Sequence, residues 1–275
     1  LGAANNHRLR FGLMWANHDW REIFPALPDR EQEVIYPGVV SERTWDTITA
    51  LCVERYFSHP SYWRPDGRPY FSIYDIGRLL DSAGDVAQVR RWLDRFRDRA
   101  VAAGLGGLHL NAISFEARRA AARLGMTEAD LYQRLGLDSV GSYVWVHHFK
   151  PDFPSTPYAE VCRRMKDEWR ASAVAAGLPT HPNVTQGWDS SPRTSQSAEY
   201  ANRGYPWLGI YADNTPEEFR RALLDAREYL LSLPAEHRVL TINAWNEWTE
   251  GSYLEPDEQW GMAYLEAVRA VFGGG

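Results

Sequence analysis

The sequence predicts an α/β fold, a (β/α)8 TIM barrel with its first one or two strands missing from the chain. Three observations predict it. Short apolar runs of strand length alternate along the whole chain with longer amphipathic stretches, the pattern of a parallel sheet. At 275 residues, 44% of them hydrophobic, residues 1–275 can bury one large core and are read as a single domain. Such barrels typically run to about 250 residues. Neither a GxGxxG nor a P-loop sequence occurs, so a nucleotide-binding sheet lacks support.

The expected strands are Leu9–Trp15, Tyr70–Tyr74, Leu108–Ile113, Val140–Val146, Asn183–Gly187 and Val239–Ala244, with Leu208–Tyr211 weaker. Six firm strands against eight imply that two precede Leu1 in the native protein or that the barrel is incomplete. The start, LGAANNHRLRF, reads as the tail of a helix running into a strand, so Leu1 is not expected to be the native N-terminus.

Between the strands, apolar residues step by three or four. Trp45, Ile48, Cys52 and Tyr56 do so, as do Val86, Val89, Leu93 and Phe96, and Tyr158, Cys162, Met165 and Trp169. Phe219, Leu223 and Tyr229–Leu231 mark a further helix, and Met262, Leu265 and Phe272 the last. Ser41 before Thr44, and Thr215-Pro216-Glu217-Glu218, have the cap and early acids of helix starts.

Composition narrows the function. Net charge is −6 and no basic stripe is visible, which argues against nucleic acid. No apolar run reaches the ~18 residues of a membrane span. Two cysteines, both on apolar helix stripes, read as small buried hydrophobes. No HExxH or CxxC appears, so neither a metal nor a cofactor is expected. Twelve Trp and 14 Tyr are many for this length. Such rings fill a core, and they also stack on the apolar faces of sugars while their N–H and O–H groups find partners.

A barrel builds its site at the carboxyl ends of its strands. Trp15, Asn17, His18, Asp19 and Trp20 follow the first run, Asp75 follows the second, and Asn111 lies in the third. Tyr143, Trp145, His147 and His148 end the fourth; Trp188, Asp189 and Arg193 follow the fifth. The last gives Asn243, Trp245, Asn246, Glu247, Trp248 and Glu250, then Tyr253 and Glu255. Acids, amides and rings together suit a polyhydroxylated ligand, a carbohydrate. Plainer readings stand beside this one. His18 and Asp19 fit a cap, Asp75 and Asp189 fit turns, and adjacent strand residues such as His147 and His148 point to opposite faces, so one of them packs.

Glu247 and Glu250 are the candidate catalytic pair. Residues three apart on a helical turn sit about 5–6 Å apart at Cβ, and two carboxylates that close push one pKa up. Splitting a pair in this way divides acid and base work, and retaining glycosidases hold their carboxyls about 5–5.5 Å apart. Helix capping or an Arg partner is the plainer use of either.

NAWNEWTEGSYLEPD (243–257), followed by Gly261 and Tyr264-Leu265-Glu266-Ala267, closely resembles the C-terminal motif of the WbsX-like proteins, relatives of glycoside hydrolase family 99, the endo-α-mannosidases and endo-α-mannanases. FGLMWANHDW (11–20), YFSHPSYWRPDGRPYFSIYD (56–75) and TQGWDSSPRT (185–194) agree with it. The resemblance implies a (β/α)8 barrel in which FGLMWAN is the third strand, and a retaining, metal-independent enzyme acting on an α-linked glycan. It implies that Glu247 removes the proton of a sugar 2-hydroxyl, so that O2 attacks C1 and forms a 1,2-anhydro sugar. Glu250 would protonate the leaving oxygen and then deprotonate the water that opens the intermediate. Thr249 departs from the family 99 pattern, which has His between the Trp and the second Glu. WbsX-like proteins also carry a glycosyltransferase label from surface-polysaccharide gene clusters. A polysaccharide-building transferase and a non-catalytic carbohydrate-binding relative are therefore the alternatives.

Overall fold

The computed structural model describes residues 4–274; of the start LGAANNHRLRF, expected as a helix tail running into a strand, residues 1–3 lie outside the described residues and Asn6–Arg8 form a 3-10 turn. The chain divides into two compact units, residues 4–20, 36–141 and 175–179 forming one, and 21–35, 142–174 and 180–274 the other.

In the first unit, β1 (Leu13–Trp15), β2 (Tyr70–Ile73), β3 (His109–Ile113) and β4 (Ser139–Gly141) lie side by side in chain order, all parallel. Leu13 sits opposite Phe71, Ser72 opposite Asn111, and Asn111 opposite Ser139. Every residue of β3 is buried, as parallel strands covered on both faces should be. Helix α1 (Glu42–Leu51) starts at Ser41, whose Oγ accepts from the Thr44 N–H, and continues as a π-helical turn over Cys52–Phe57. Asp75 and Asp85 cap α2 (Ile76–Ala83) and α3 (Val86–Ala102). Then come α4 (Ser114–Arg123) and α5 (Glu128–Leu135), the latter capped by Thr127 and ended by Gly136 at φ 67°. Trp45, Phe57, Phe71, Phe96 and Leu110 form the middle of this core, with Trp45 stacked on Trp92 at 5.9 Å between centroids.

The second unit holds two parallel pairs. β5 (Ser155–Pro157) pairs with β7 (Ile210–Ala212), and β6 (Asn183–Thr185) with β8 (Thr241–Asn243). A short antiparallel ribbon follows β8: β9 (Asn246–Glu247) and β10 (Ser252–Tyr253), with Glu247 opposite Ser252. Helix α6 (Tyr158–Ala176) begins in this unit, and α7 (Pro216–Leu231) and α8 (Ala263–Phe272) complete it. Thr215 caps α7 and Pro216 opens it, as its sequence predicts. Trp145, Tyr158, Phe219, Leu223 and Tyr264 belong to its core.

The parallel α/β expectation is met, and the differences are local. The apolar run 140–146 is not one strand: β4 stops at Gly141 and Trp145–His147 is a 3-10 turn. The other expected strands are shortened at one or both ends. Helices α2, α4 and α5 are not among the expected ones: α2 and α5 carry short stripes, Ile76, Leu79 and Leu80 in one and Leu131, Tyr132 and Leu135 in the other, whereas the buried side of α4 is Ser114, Ala117, Ala120 and Ala121, too small to register as one. Both cysteines are free, and burial pushes their thiols up, to about 11 for Cys52 and about 12 for Cys162, which suits packing rather than nucleophilic work.

Candidate functional site

The residues that follow β6 and β8 build a constellation within the second unit. The register of these strands continues one step past their ends, where the Gln186 N–H donates to the Asn243 carbonyl at 2.7 Å. Asn243 is buried and accepts Ser252 Oγ at 2.8 Å through its carbonyl and again through its Oδ1, which folds the ribbon back under the strand. Gln186 Oε1 in turn accepts the Tyr253 N–H at 2.9 Å. The peptide bond Asn243-Ala244 is cis.

This frame carries Glu247 on β9 and Glu250 at the end of a 3-10 turn over Trp248–Glu250. Both carboxylates turn to one guanidinium. Arg193 Nη2 lies 2.8 Å from Glu247 Oε1 and 3.6 Å from Glu250 Oε1. Arg193 Nε donates to Thr249 Oγ1 at 3.0 Å, and that hydroxyl donates to Glu247 Oε1, also at 3.0 Å. The Tyr205 hydroxyl donates to Glu250 Oε1 at 2.8 Å. Arg193 ends a 3-10 turn, Ser191–Arg193, that Asp189 starts by accepting the Ser191 N–H at 2.9 Å. Asp189 therefore holds a turn, the plainer of its two readings.

The two acids differ in exposure. The Glu250 side chain is 12% exposed and that of Glu247 34%. Burial raises the pKa of Glu250 above the usual carboxylate range; the charge of Arg193 and the Tyr205 hydrogen bond pull it down, and Glu247 pushes it up. A raised member is what the spacing predicts, but loss of water, ahead of the neighbouring acid, is its main cause. Tyr143 sits within the field of both acids, and burial followed by their charges pushes its hydroxyl up to about 12. A carboxyl whose pKa burial raises, beside one held in an ion pair, can divide acid and base roles.

The other expected residues spread over several surroundings. Trp245 and Trp248 are 53% and 43% exposed. Trp248 stacks on Tyr253 at 3.7 Å, and its indole N–H donates to Glu255 Oε2 at 2.7 Å. That leaves a rigid, half-open aromatic wall on the ribbon that bears Glu247. Asn246 is exposed on β9. His147 stacks on Tyr143 at 6.0 Å, whereas His148 is tied to Ser142 Oγ and Glu168 Oε1 and packs inward. The two histidines differ in surroundings, and a 3-10 turn rather than strand alternation produces the difference. Trp188 is buried. Trp145 has no exposed surface and its indole N–H donates to the Asn183 carbonyl at 2.7 Å, so it is placed to hold β6 and has no face open for stacking on a ligand.

In the first unit, Asn17, Asp75 and Asp19 form their own network. Asn17 Nδ2 donates to the Asp75 carbonyl at 2.7 Å, and its Oδ1 accepts the Asp75 N–H at 2.8 Å, bracketing the end of β2 from the end of β1. The Asp75 carboxylate accepts the Arg78 N–H at the start of α2. Asp19 accepts the Gly38 N–H and pairs with Arg78 at 2.5 Å. Gly38 is required there, since a Cβ would lie 2.6 Å from the Asn17 carbonyl oxygen. Trp15 is half-buried and tilts against Trp45, His18 is exposed against Tyr74, and buried Asn111 links Ser72 Oγ and Ser139 Oγ.

Tyr205 and Gln186 are not legible as site residues, because each reaches the pair or its frame from a segment distant in sequence; Ser252, on β10 next to the pair, gives no signal because a lone serine has none. Among the described residues no cluster of His, Cys, Asp and Glu has the arrangement of a metal site. Among the described residues no helix is long and apolar enough to cross a membrane.

Two relatives from strains of Xanthomonas campestris pv. campestris, each called "Uncharacterized protein WxcX", are 28% identical over 95% of this chain and 34% of their own length. The chain thus spans about a third of the curated relatives it matches. Among solved structures, a "Glycoside hydrolase-like protein" superposes with a TM-score of 0.61 at 15% identity, covering 84% of this chain and 61% of that one. The GH99 endo-α-mannosidase from Bacteroides thetaiotaomicron, in complex with bis-tris-propane, gives a TM-score of 0.51 at 16% identity over 85% of this chain and 65% of that one. These likenesses are of fold. The family described as Glycosyltransferase WbsX matches residues 2–268, and the chain belongs to that family.

Proposed function

We propose that this chain is a glycan-processing enzyme, a retaining glycoside hydrolase that cleaves an α-linked polysaccharide or glycan through Glu247 and Glu250. The observation that carries the reading is the shared guanidinium: two carboxylates held by Arg193 at 2.8 and 3.6 Å, one ion-paired and the other largely withdrawn from water. Glu250, with its raised pKa, donates its proton to the leaving oxygen. Glu247 takes the proton of the sugar 2-hydroxyl, O2 bonds to C1, and the glycosidic bond breaks. Water then gives a proton to Glu250 and attacks C1, while O2 recovers its proton from Glu247. The 1,2-anhydro ring opens with the starting anomeric configuration restored, and the two acids account for every proton moved in these steps. We read the parallel strands as part of a (β/α)8 barrel, a reading supported by the glycosidase fold likenesses. Trp245, Trp248 and Tyr253 offer stacking faces for the sugar.

The test is a panel of α-mannans and bacterial surface glycans, with NMR detection of the first anomer released. The expected result is the α-anomer from wild type and none from Glu250→Gln. The family's name favours a second reading, a transferase that extends a surface polysaccharide. Calorimetric binding of a sugar nucleotide, with transfer to a glycan and no hydrolysis, would replace the first reading by the second. Glycan binding without turnover of either kind would make the chain a binding relative.

A further inference from the structure

We infer that Arg193 and Thr249 together are the positioning device of the carboxylate pair, engaging one oxygen of each acid so that the other is presented for proton transfer; this rests on the reading of Glu247 and Glu250 as the reacting groups. Among the described residues, every hydrogen bond and ion pair of the two carboxylates falls on Oε1. Glu247 Oε1 receives Arg193 Nη2 at 2.8 Å and Thr249 Oγ1 at 3.0 Å. Glu250 Oε1 receives the Tyr205 hydroxyl at 2.8 Å and faces Arg193 Nη2 at 3.6 Å. Oε2 of either acid makes no hydrogen bond among the described residues. A carboxylate with one oxygen doubly held and the other bare has its plane and its working lone pair fixed, which proximity effects in catalysis require.

The device is itself held. The Arg193 carbonyl accepts the Ala26 N–H at 2.7 Å, its N–H donates to the Ser190 carbonyl at 3.1 Å, and Ser190 Oγ donates to the Pro206 carbonyl at 2.7 Å. Its side chain is only 18% exposed, and its guanidinium lies 6.0 Å from the centroid of the Tyr205 ring. The fork is what matters. Nε on Thr249 and Nη2 on the acids are two nitrogens of one rigid plane, a fork that the single ammonium of a lysine cannot reproduce. Thr249 closes the triangle by accepting from Arg193 and donating to Glu247. The other titratable groups facing the pair are Tyr143 and Tyr205, while Asp189 spends its carboxylate on the Ser191 N–H.

The experiment compares Arg193→Met, Arg193→Lys, Thr249→Val and Thr249→Ser with wild type by two readouts. The first is a substrate-free titration of 13C-carboxyl-labelled glutamate, with the Glu250 signal assigned by Glu250→Gln. The second is kcat and KM on the glycan that the panel identifies. Arg193→Met should move the Glu250 midpoint up, because a cation that favours its charged form is gone, and Arg193→Lys should restore the midpoint but not kcat. Thr249→Val should leave the Glu250 midpoint in place and lower kcat about tenfold or more with KM nearly unchanged, the pattern of a lost transition-state geometry. Thr249→Ser should rescue it. An unmoved Glu250 midpoint in Arg193→Met, or Arg193 and Thr249 variants that raise KM alone, would overturn the assignment and make Arg193 a substrate ligand. If no glycan is cleaved, the titration still decides whether Arg193 governs Glu250, so failure of the glycosidase reading is told apart from failure of this one. If Arg193→Met fails to fold by circular dichroism, a Thr249→Val kcat equal to wild type overturns the proposal.

Discussion

The Asp189 N–H donates to the Glu250 carbonyl oxygen at 2.7 Å, so the segment after β6 and the segment after β8 are fastened to each other at the backbone of the buried acid. The next residue makes that approach possible. Gly251 sits at φ 59°, and a Cβ there would lie 2.9 Å from Asp189 Cβ and 3.0 Å from the Asp189 nitrogen. Gly187 meets the other side: its Cβ would fall 2.4 Å from the Gly251 carbonyl oxygen and from Asn214 Nδ2.

Gly251→Ala should therefore weaken both fold and site. The left-handed backbone alone costs a side chain about 1–2 kcal/mol, and the overlap with Asp189 adds to it by forcing the two segments apart. Thermal unfolding should show the loss of stability. Turnover should fall further than stability does, because the displaced segment carries Glu250. An alanine variant with wild-type melting and turnover would show that the two segments part without consequence.

Glu250 links activity to stability with an unusual sign. Its carboxyl is raised by burial, so the folded chain binds that proton more tightly than the unfolded chain. Its contribution to stability is full below the ordinary carboxylate range and is lost as pH rises through the raised value. Glu250→Gln is neutral throughout. Its melting temperature should exceed that of wild type at about pH 8, and the gap should close towards about pH 4. Turnover should drop by about 10²–10⁴-fold, the usual contribution of a general acid. A variant less stable than wild type at the higher pH would mean that the anion is favoured in the fold, and that Glu250 is not the acid.

What the sequence discloses and what it hides follows from reach. Strands such as Tyr70–Ile73 and His109–Ile113 are legible from their apolar residues, Phe71 and Ile73 in one and Leu110, Ala112 and Ile113 in the other, although polar Ser72, His109 and Asn111 are buried among them. The same logic misreads 140–146, where Val144, Trp145 and Val146 are buried in the second unit by a turn rather than by a strand. The acid pair and Arg193 stand out because charge beside apolar runs is rare. The pairing of Asn17 with Asp75 and of Tyr205 with Glu250 spans 58 and 45 residues, and no local pattern encodes either.

Asp75 separates a structural from a substrate role. Its carboxylate accepts the Arg78 N–H at 2.8 Å, and its own backbone is bracketed by Asn17. Asp75→Ala should cost about 1 kcal/mol, the usual value of a lost helix cap. Asp75→Asn keeps the accepting oxygen and sheds a charge that burial disfavours, so it should melt no lower than wild type at neutral pH. Both should retain KM. A raised KM in Asp75→Asn, with its melting unchanged, would put that carboxylate on the substrate instead.

The tryptophans make the same separation on a larger scale. Trp145→Ala empties the centre of the second unit's core: a fully buried indole, stacked on Tyr158 at 5.5 Å, is removed. The expected loss is about 3–5 kcal/mol, with the Asn183 carbonyl also deprived of its donor. Most domains have little more stability than that, so the variant should be largely unfolded at 37 °C or recovered only as aggregate. Trp245 is 53% exposed on the loop that leads to Glu247. Trp245→Ala should change stability by less than about 0.5 kcal/mol, as surface substitutions do, while raising KM for a glycan by removing a stacking face. Denaturant melts read the first difference and steady-state kinetics the second. Should Trp245→Ala leave KM untouched, the exposed indole would have no part in holding the sugar, and the wall formed by Trp248 and Tyr253 would have to do so alone.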